Sequence, residues 1–274
     1  MLSGRLLSQQ VSKPQQTCLQ SPYGESWMTK KPYASFRKQH TIRDVKFDST
    51  GNILLSSRQS VQMYDPNGVF QEKLFTYRVA EPWGLHIDKH TGNVFVSDHE
   101  EDCIKEFNGL GLLAQEYGPI SKPCGVTVSD SGYVFACSQS EACVCVFAPD
   151  GGLVRKLGSS VLHNPSHITI HDKIILVSDG ARIIGFDIFD KVELIYGSTD
   201  ECQHPASLCV DAERSFTLAT SYYKNCLIAV RGDMVRAIKV KVSRRPILCA
   251  INSFGHLIIA ENDPSGTIFK LYRM

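Results

Sequence analysis

The chain has 274 residues, 43% of them hydrophobic, with 29 Lys and Arg against 28 Asp and Glu, a formal charge of +1. That apolar content supports a large core. A charge so near zero excludes a global field that would draw the protein to nucleic acid or an acidic membrane, so any polyanion site must be a local patch.

From the N-terminus, residues 1–32 are rich in Ser, Gln and Lys and lack periodicity, which predicts a disordered leader. Arg5 and Lys13, with no acid before Glu25, also give it a faint likeness to a transit peptide. Leu2, Leu6 and Leu7 are broken up by Ser3, Gly4, Arg5 and Ser8, so no signal peptide is expected. No apolar run is long enough to cross a bilayer. The sequence therefore predicts no membrane association, and a cytoplasmic or nuclear protein.

An isolated strand, residues 33–39, precedes the first of six similar units. The units open at Ile42, Pro82, Pro123, Pro165, Pro205 and Pro246, in steps of 40, 41, 42, 40 and 41 residues. The second unit is the most regular. Residues 83–88 and 93–98 read as the first two strands, with Leu85, Ile87, Val94 and Val96 alternating at the period of a sheet. Residues 103–107 and 112–118 read as the third and fourth. Gly51, Gly92, Gly132 and Gly255 fall in the first hairpin of their units, where positive φ is wanted. Asp65-Pro66-Asn67-Gly68, Asn108-Gly109 and Pro149-Asp150-Gly151 mark the hairpin between third and fourth strands. The fourth unit is degenerate, with Asp172-Lys173 in place of the turn glycine. The sixth runs out after three strands.

A period in the forties with four short strands per unit predicts an all-β fold, a six-bladed β-propeller over residues 33–274. Residues 33–39 would supply the missing fourth strand of the last blade and leave no free edge. A monomer is expected.

Ten cysteines suggest no disulfide framework here. Cys103, Cys143 and Cys226 open the third strand of different units, too far apart to pair, and are expected to be reduced, small buried hydrophobes. There is no C-x-x-C, and Cys143-x-Cys145 alone offers too few ligands for zinc. The one N-x-S sequon, Asn164-Pro165-Ser166, is blocked by proline.

The run PWGLHIDKHTGNVFVSD (82–98) resembles an NHL repeat: P-x-G and a hydrophobic residue, Asp and Gly at the first turn, then V-x-D. PCGVTVSDSGYVFA (123–136) matches except at V-x-D, and units four to six match weakly. The usual N-R before the third strand is replaced by Asp102-Cys103, Ala142-Cys143 and Asn225-Cys226. WD40 repeats, the rival, normally carry a Trp-Asp near the third strand, which this chain lacks. With the four strands of a unit lettered a to d in chain order, the resemblance implies the propeller of tripartite-motif NHL proteins, which bind RNA or protein on the rim formed by the b–c and d–a loops. It also implies a ubiquitin-pathway or post-transcriptional role. The RING that makes such proteins ubiquitin ligases has no counterpart among these cysteines and histidines, so any ligase activity would need a longer product.

Carried over by position, the candidate rim residues are Arg43, Arg58, Trp83, His99, Lys122, Tyr222, Tyr223, Lys224, Arg244 and Arg245. Aromatics mixed with Arg and Lys suit stacking on single-stranded RNA, or on structured RNA, and phosphate contact. Glu81, Glu100, Glu101 and Asp263 interrupt them, which leaves a protein–protein scaffold without RNA binding as the alternative. Arg236, Lys239 and Lys241 read as the solvated face of an outer strand. The rival enzyme reading, a metal-dependent lactonase, esterase or lyase, would use Asp44, His86, His167 and Cys209 in the central channel. One carboxylate is poor for calcium, the two histidines lie at different depths, and no Ser-His-Asp set or phosphate loop is present. The expectation is therefore a chain without catalytic activity, cofactor or stoichiometric metal.

Overall fold

A computed structural model describes residues 31–197, 204–231, 234–238, 242 and 244–274. All regular structure there is β, in six four-stranded antiparallel sheets. One outer strand, β1 (Ala34–Lys38), comes first. Blade 1 is β2 (Ile42–Phe47), β3 (Ile53–Ser57), β4 (Ser60–Tyr64) and β5 (Phe70–Leu74). Blade 2 is β6 (Pro82–Ile87), β7 (Val94–Asp98), β8 (Cys103–Phe107) and β9 (Leu113–Tyr117). Blade 3 is β10 (Pro123–Val128), β11 (Val134–Ser138), β12 (Cys143–Phe147) and β13 (Leu153–Leu157). Blade 4 is β14 (Pro165–His171), β15 (Ile174–Asp179), β16 (Arg182–Phe186) and β17 (Val192–Gly197). Blade 5 is β18 (Pro205–Asp211), β19 (Phe216–Ser221), β20 (Cys226–Arg231) and β21 (Met234–Ile238). Blade 6 is β22 (Pro246–Ile251), β23 (His256–Asp263), β24 (Gly266–Arg273) and, on its outside, β1.

The expected closure is observed. β1 runs antiparallel to β24, with Ala34 opposite Leu271 and Lys38 opposite Thr267. Phe36 stacks on Phe269 at 4.8 Å and on Tyr64 of blade 1 at 5.2 Å, so one aromatic column crosses the seam. The innermost strands touch neighbour to neighbour around the ring, β22 to β2 included.

Burial follows distance from the axis. β3 and β11 are buried along their whole length, while β5 and β13 are exposed except at their last residue. Each blade buries both faces, which is why the inner strands read as nearly continuous apolar runs. In β12, Cys143, Cys145 and Phe147 pack toward blade 2 with Phe95, Ile104 and Tyr117, while Val144 and Val146 pack toward blade 4 with Ile175 and Ile184. The hairpin glycines Gly51, Gly92, Gly132 and Gly255 have φ between +73 and +90, and in blade 4 Asp172 and Lys173 take φ +48 and +66 in their stead.

The b–c and d–a loops share one rim. A backbone hydrogen bond joins them in blades 2 to 6: His99 N to Glu81 O, Gln139 N to Lys122 O, Gly180 N to Asn164 O, Tyr222 N to His204 O and Asn262 N to Arg245 O, at 2.9–3.3 Å. The Asp that closes strand b secures the same joint. Asp98 accepts from Ala80 N (2.8 Å) and Lys105 Nζ (2.9 Å), and Asp179 from His163 N (2.9 Å) and Arg182 Nε (3.0 Å). Of the expected leader, residues 1–30 lie outside the described residues, as do Lys239, Lys241 and the side chain of Arg236. Among the described residues, no helix is long and apolar enough to cross a membrane.

Candidate functional site

A cavity of about 720 Å³ opens on the b–c and d–a rim at the mouth of the central channel. It lies off the ring axis, because its lining comes from blades 4, 5, 6 and 1 and the chain leading into blade 1. Trp83 is blade 2's contribution, and blade 3 supplies nothing.

The asymmetry coincides with a difference at the third residue of the innermost strands. In blades 2 and 3 this is the glycine of P-x-G. A Cβ on Gly84 would stand 2.1 Å from the Cys124 carbonyl oxygen, and one on Gly125 would stand 2.7–2.9 Å from the Ser166 carbonyl, His167 Cα and Ile168 N. The strands therefore meet backbone to backbone. The corresponding positions of blades 1, 4, 5 and 6 carry Asp44, His167, Ser207 and Leu248. Those positions carry side chains, and the mouth opens on their side of the ring.

The wall has two aromatic groups. On one side the Arg43 guanidinium lies 3.8 Å from the Trp83 ring centroid, and Trp83 packs on His99 at 4.5 Å. On the other, Tyr223 meets Tyr222 edge-on at 5.0 Å and His204 at 4.7 Å. Arg245 Nη1 and Asn262 Nδ2 donate to the Tyr222 hydroxyl at 3.3 and 3.4 Å, and hold it below its ordinary pKa. Between the two groups stand Asn164, Ser166 and His167 of blade 4.

Arg43 Nε is buried here without a hydrogen-bond partner, and the buried His167 ring has only a loose contact with the Arg43 backbone, short of good hydrogen-bond geometry. Such groups usually find partners, because an unmade buried hydrogen bond costs about 1–3 kcal/mol. Burial lowers the His167 pKa, so the ring is neutral at pH 7 and can offer one donor and one acceptor. In the same layer, Asp44 accepts from Val45 N (2.7 Å), Leu85 N (2.9 Å) and Lys46 Nζ (2.9 Å). His86, a layer deeper, is driven to a pKa of about 4, chiefly by burial and next by the Lys46 ammonium.

Of the expected rim residues, Arg43, Trp83, Tyr222 and Tyr223 line the mouth, with His99 and Arg245 packed behind them. Arg58 is held by Glu81 at 2.9 Å, Arg244 by Asp263 at 2.9 Å, and Lys122 Nζ donates to the His99 carbonyl at 3.1 Å. Lys224 is exposed and away from the lining. The channel group does not assemble as one ligand set: Asp44 and His167 share the upper layer, while His86 and Cys209 lie in the lower with Lys46. Sequence reasoning missed Asn164, Asn262 and Lys46. The first two follow directly from the rim positions beside Pro165 and at the end of strand b, but Lys46 reads locally as an ordinary charged residue.

No family model matches the chain, and no curated protein matches it in sequence. Among solved structures it is similar to a streptogramin B lyase (13% identity, 92% of this chain and 89% of that one, TM-score 0.66). It is similar also to a gluconolactonase from Xanthomonas campestris (12% identity, 86% and 88%, TM-score 0.67) and to a chain of a nidogen–laminin complex (14% identity, 77% and 85%, TM-score 0.64). At these identities the likeness is one of fold. It nonetheless corrects the expectation of a chain without catalytic activity, since two of these rings are enzymes. That expectation rested on the few carboxylates of the channel and left out the mouth, which loops build above it.

Proposed function

We propose that this propeller is a recognition platform whose mouth takes a compact organic ligand bearing a hydrogen-bond acceptor, a carboxylate or polarised carbonyl, next to an apolar or ring-shaped body. One observation carries this reading: Arg43 Nε is buried without a partner, and the His167 ring, with only a loose contact to the Arg43 backbone, belongs to the lining of the same cavity. These nitrogens are closed to solvent, so a ligand acceptor reaches them only as the Arg43 and His167 side chains turn toward the cavity, while Trp83, Tyr222 and Tyr223 would cover the apolar part. The volume, about 720 Å³, is in the range of small-molecule sites. The end of a protein partner would present the same chemistry.

A second reading uses the same atoms. A neutral His167 with a free nitrogen is competent as a general base toward a bound carbonyl compound, and the lyase and lactonase neighbours favour keeping that role open. The NHL resemblance would make this face a surface for RNA or protein. For RNA the support is the pairing of aromatics with cations; against it, Glu81 and Asp263 neutralise Arg58 and Arg244.

The chain has two tryptophans, so in a Trp27→Phe background the fluorescence is that of Trp83 and reports on the mouth. Titration with a panel of small aromatic carboxylates and lactones, beside a random RNA pool at two salt concentrations, is the test. We expect saturable quenching lost in His167→Ala and in Arg43→Met. RNA binding that falls steeply with salt, depends on Lys224 and Arg245, and ignores His167 would overturn it.

A further inference from the structure

Blades 2 and 3 build one structural element in two chemistries. In blade 2, strand b ends at Asp98, the next loop carries Glu101, and β8 begins Cys103, Ile104, Lys105. The Lys105 ammonium is buried, 6% exposed, 2.9 Å from Asp98 and 3.4 Å from Glu101, and donates to the Arg78 carbonyl at 2.8 Å. In blade 3 the same register reads Ser138, Glu141, Cys143, Val144, Cys145. Ser138 faces Cys143 as Asp98 faces Cys103, so Cys145 stands where Lys105 stands. Blade 3 has thus replaced the internal cation by a thiol and kept the loop carboxylate.

Residues two apart on a strand point to the same side, so both sulfurs face Glu141. One ligand atom from each of Glu141, Cys143 and Cys145 lies within 4.8 Å of the other two, and Cys143 Sγ is 3.8 Å from Glu141 Oε2. Two ligands at about 2.3 and about 2.0 Å around a tetrahedral ion stand roughly 3.5 Å apart. Both thiols are 1% exposed, whereas Glu141 is exposed, which leaves an entrance at the rim. The hydrogen bond between the two thiols lowers the Cys143 pKa and raises that of Cys145, so the first proton leaves more readily than the second.

The geometry points to a binding site at Glu141, Cys143 and Cys145 for a thiophilic divalent cation of the zinc class. Two thiolates and a carboxylate are a zinc donor set, with the fourth position left to water. Loading displaces one proton from each thiol, so two protons leave as one ion enters. The three anionic ligands exceed the ion by one charge, which the Lys156 ammonium, already paired with Glu141, balances. The spacing Cys143-x-Cys145 offers two ligands in sequence; the fold adds the third. Cys209 and Cys249 form another close thiol pair, 3.5 Å apart, but no third ligand joins them among the described residues, and they serve as an internal control.

The test is titration of the reduced, metal-free full chain with Cd²⁺ alone, followed by thiolate-to-cadmium charge-transfer absorption and elemental analysis. We expect one equivalent bound, none in Cys143→Ser or Cys145→Ser, and no change in the Cys209→Ser/Cys249→Ser double variant. Because a buried thiol replacement can disturb folding, the exposed Glu141→Gln is the companion variant. It should melt like the parent without metal, yet bind roughly tenfold or more weakly. Absence of the band in the parent, its survival in Cys143→Ser, its loss in the Cys209→Ser/Cys249→Ser variant, or unchanged affinity in Glu141→Gln would each overturn the site.

Discussion

On the side of blades 2 and 3 the innermost strands meet backbone to backbone, and the channel wall is closed. On the side of blades 4, 5, 6 and 1 the same strand position carries a side chain instead of a glycine, and the mouth opens there. The first side is held by close approach at Gly84 and Gly125, by the buried Asp98–Lys105 pair and by a continuous apolar core. The second carries Arg43, whose Nε alone lacks a partner, His167 and the Tyr222–Tyr223 pair. One ring therefore divides its duties: half of it fixes the geometry in which the other half presents polar groups without partners, a cost of stability that a rigid neighbour can absorb.

The largest expected effect tests the seam on the open side. Deleting residues 1–39 removes β1 and the Phe36 stack, and should abolish a cooperative melt, whereas deleting 1–30 should leave it nearly unchanged. Equal behaviour of the two truncations would break the closure argument. On the closed side, Lys105→Met strands the Asp98 carboxylate, which is 0% exposed, and should cost about 3–5 kcal/mol in urea unfolding. Burial pushes the Asp98 pKa up, but hydrogen bonds from Lys105, Ala80 and Glu81 outweigh it and the net shift is down. Its contribution is therefore present above about pH 4 and lost as the pH falls further, and the variant should lose that acid dependence.

Next in size is Gly125→Ala, whose Cβ meets backbone that has nowhere to move; about 2–3 kcal/mol is expected, and no loss at all would mean that the blades can shift apart. Acid should act on the channel as a smaller effect. His86 is neutral in the fold with a pKa of about 4, below its unfolded value near 6.5. A depressed histidine gives stability that is complete above the unfolded value and declines as the pH drops toward the folded one. A loss of less than about 3 kcal/mol between pH 6.5 and 4, flattened in His86→Asn, is the expected profile in unfolding measured against pH. The smallest effect on stability belongs to the mouth: His167→Ala should change unfolding by under about 1 kcal/mol, since at most a loose contact with the Arg43 backbone is lost, while removing ligand-dependent quenching of Trp83. A large destabilisation there would recast His167 as a packing residue.

How much of this was legible in the chain depends on the range of the interactions concerned. The six openings from Ile42 to Pro246, the hairpin glycines and the unpaired strand at residues 33–39 are local patterns, governed by backbone conformation and by alternation within a few residues, so six blades and their closure could be read directly. P-x-G was legible as a motif but not as a contact: that Gly84 and Gly125 close one side of the ring depends on the distance to Cys124 and Ser166 in the next blade. The rim residues were placed by position in the repeat, yet whether a cation is free depends on its neighbours, and Glu81 and Asp263 reach Arg58 and Arg244 across gaps of 23 and 19 residues. Glu141 joins Cys143 and Cys145 only because the b–c loop folds back on β12, and Lys46 enters the channel only because strand a is innermost. Local sequence determines each blade. Ring closure sets the distances between blades, and with them which polar groups are satisfied and which are left facing the mouth.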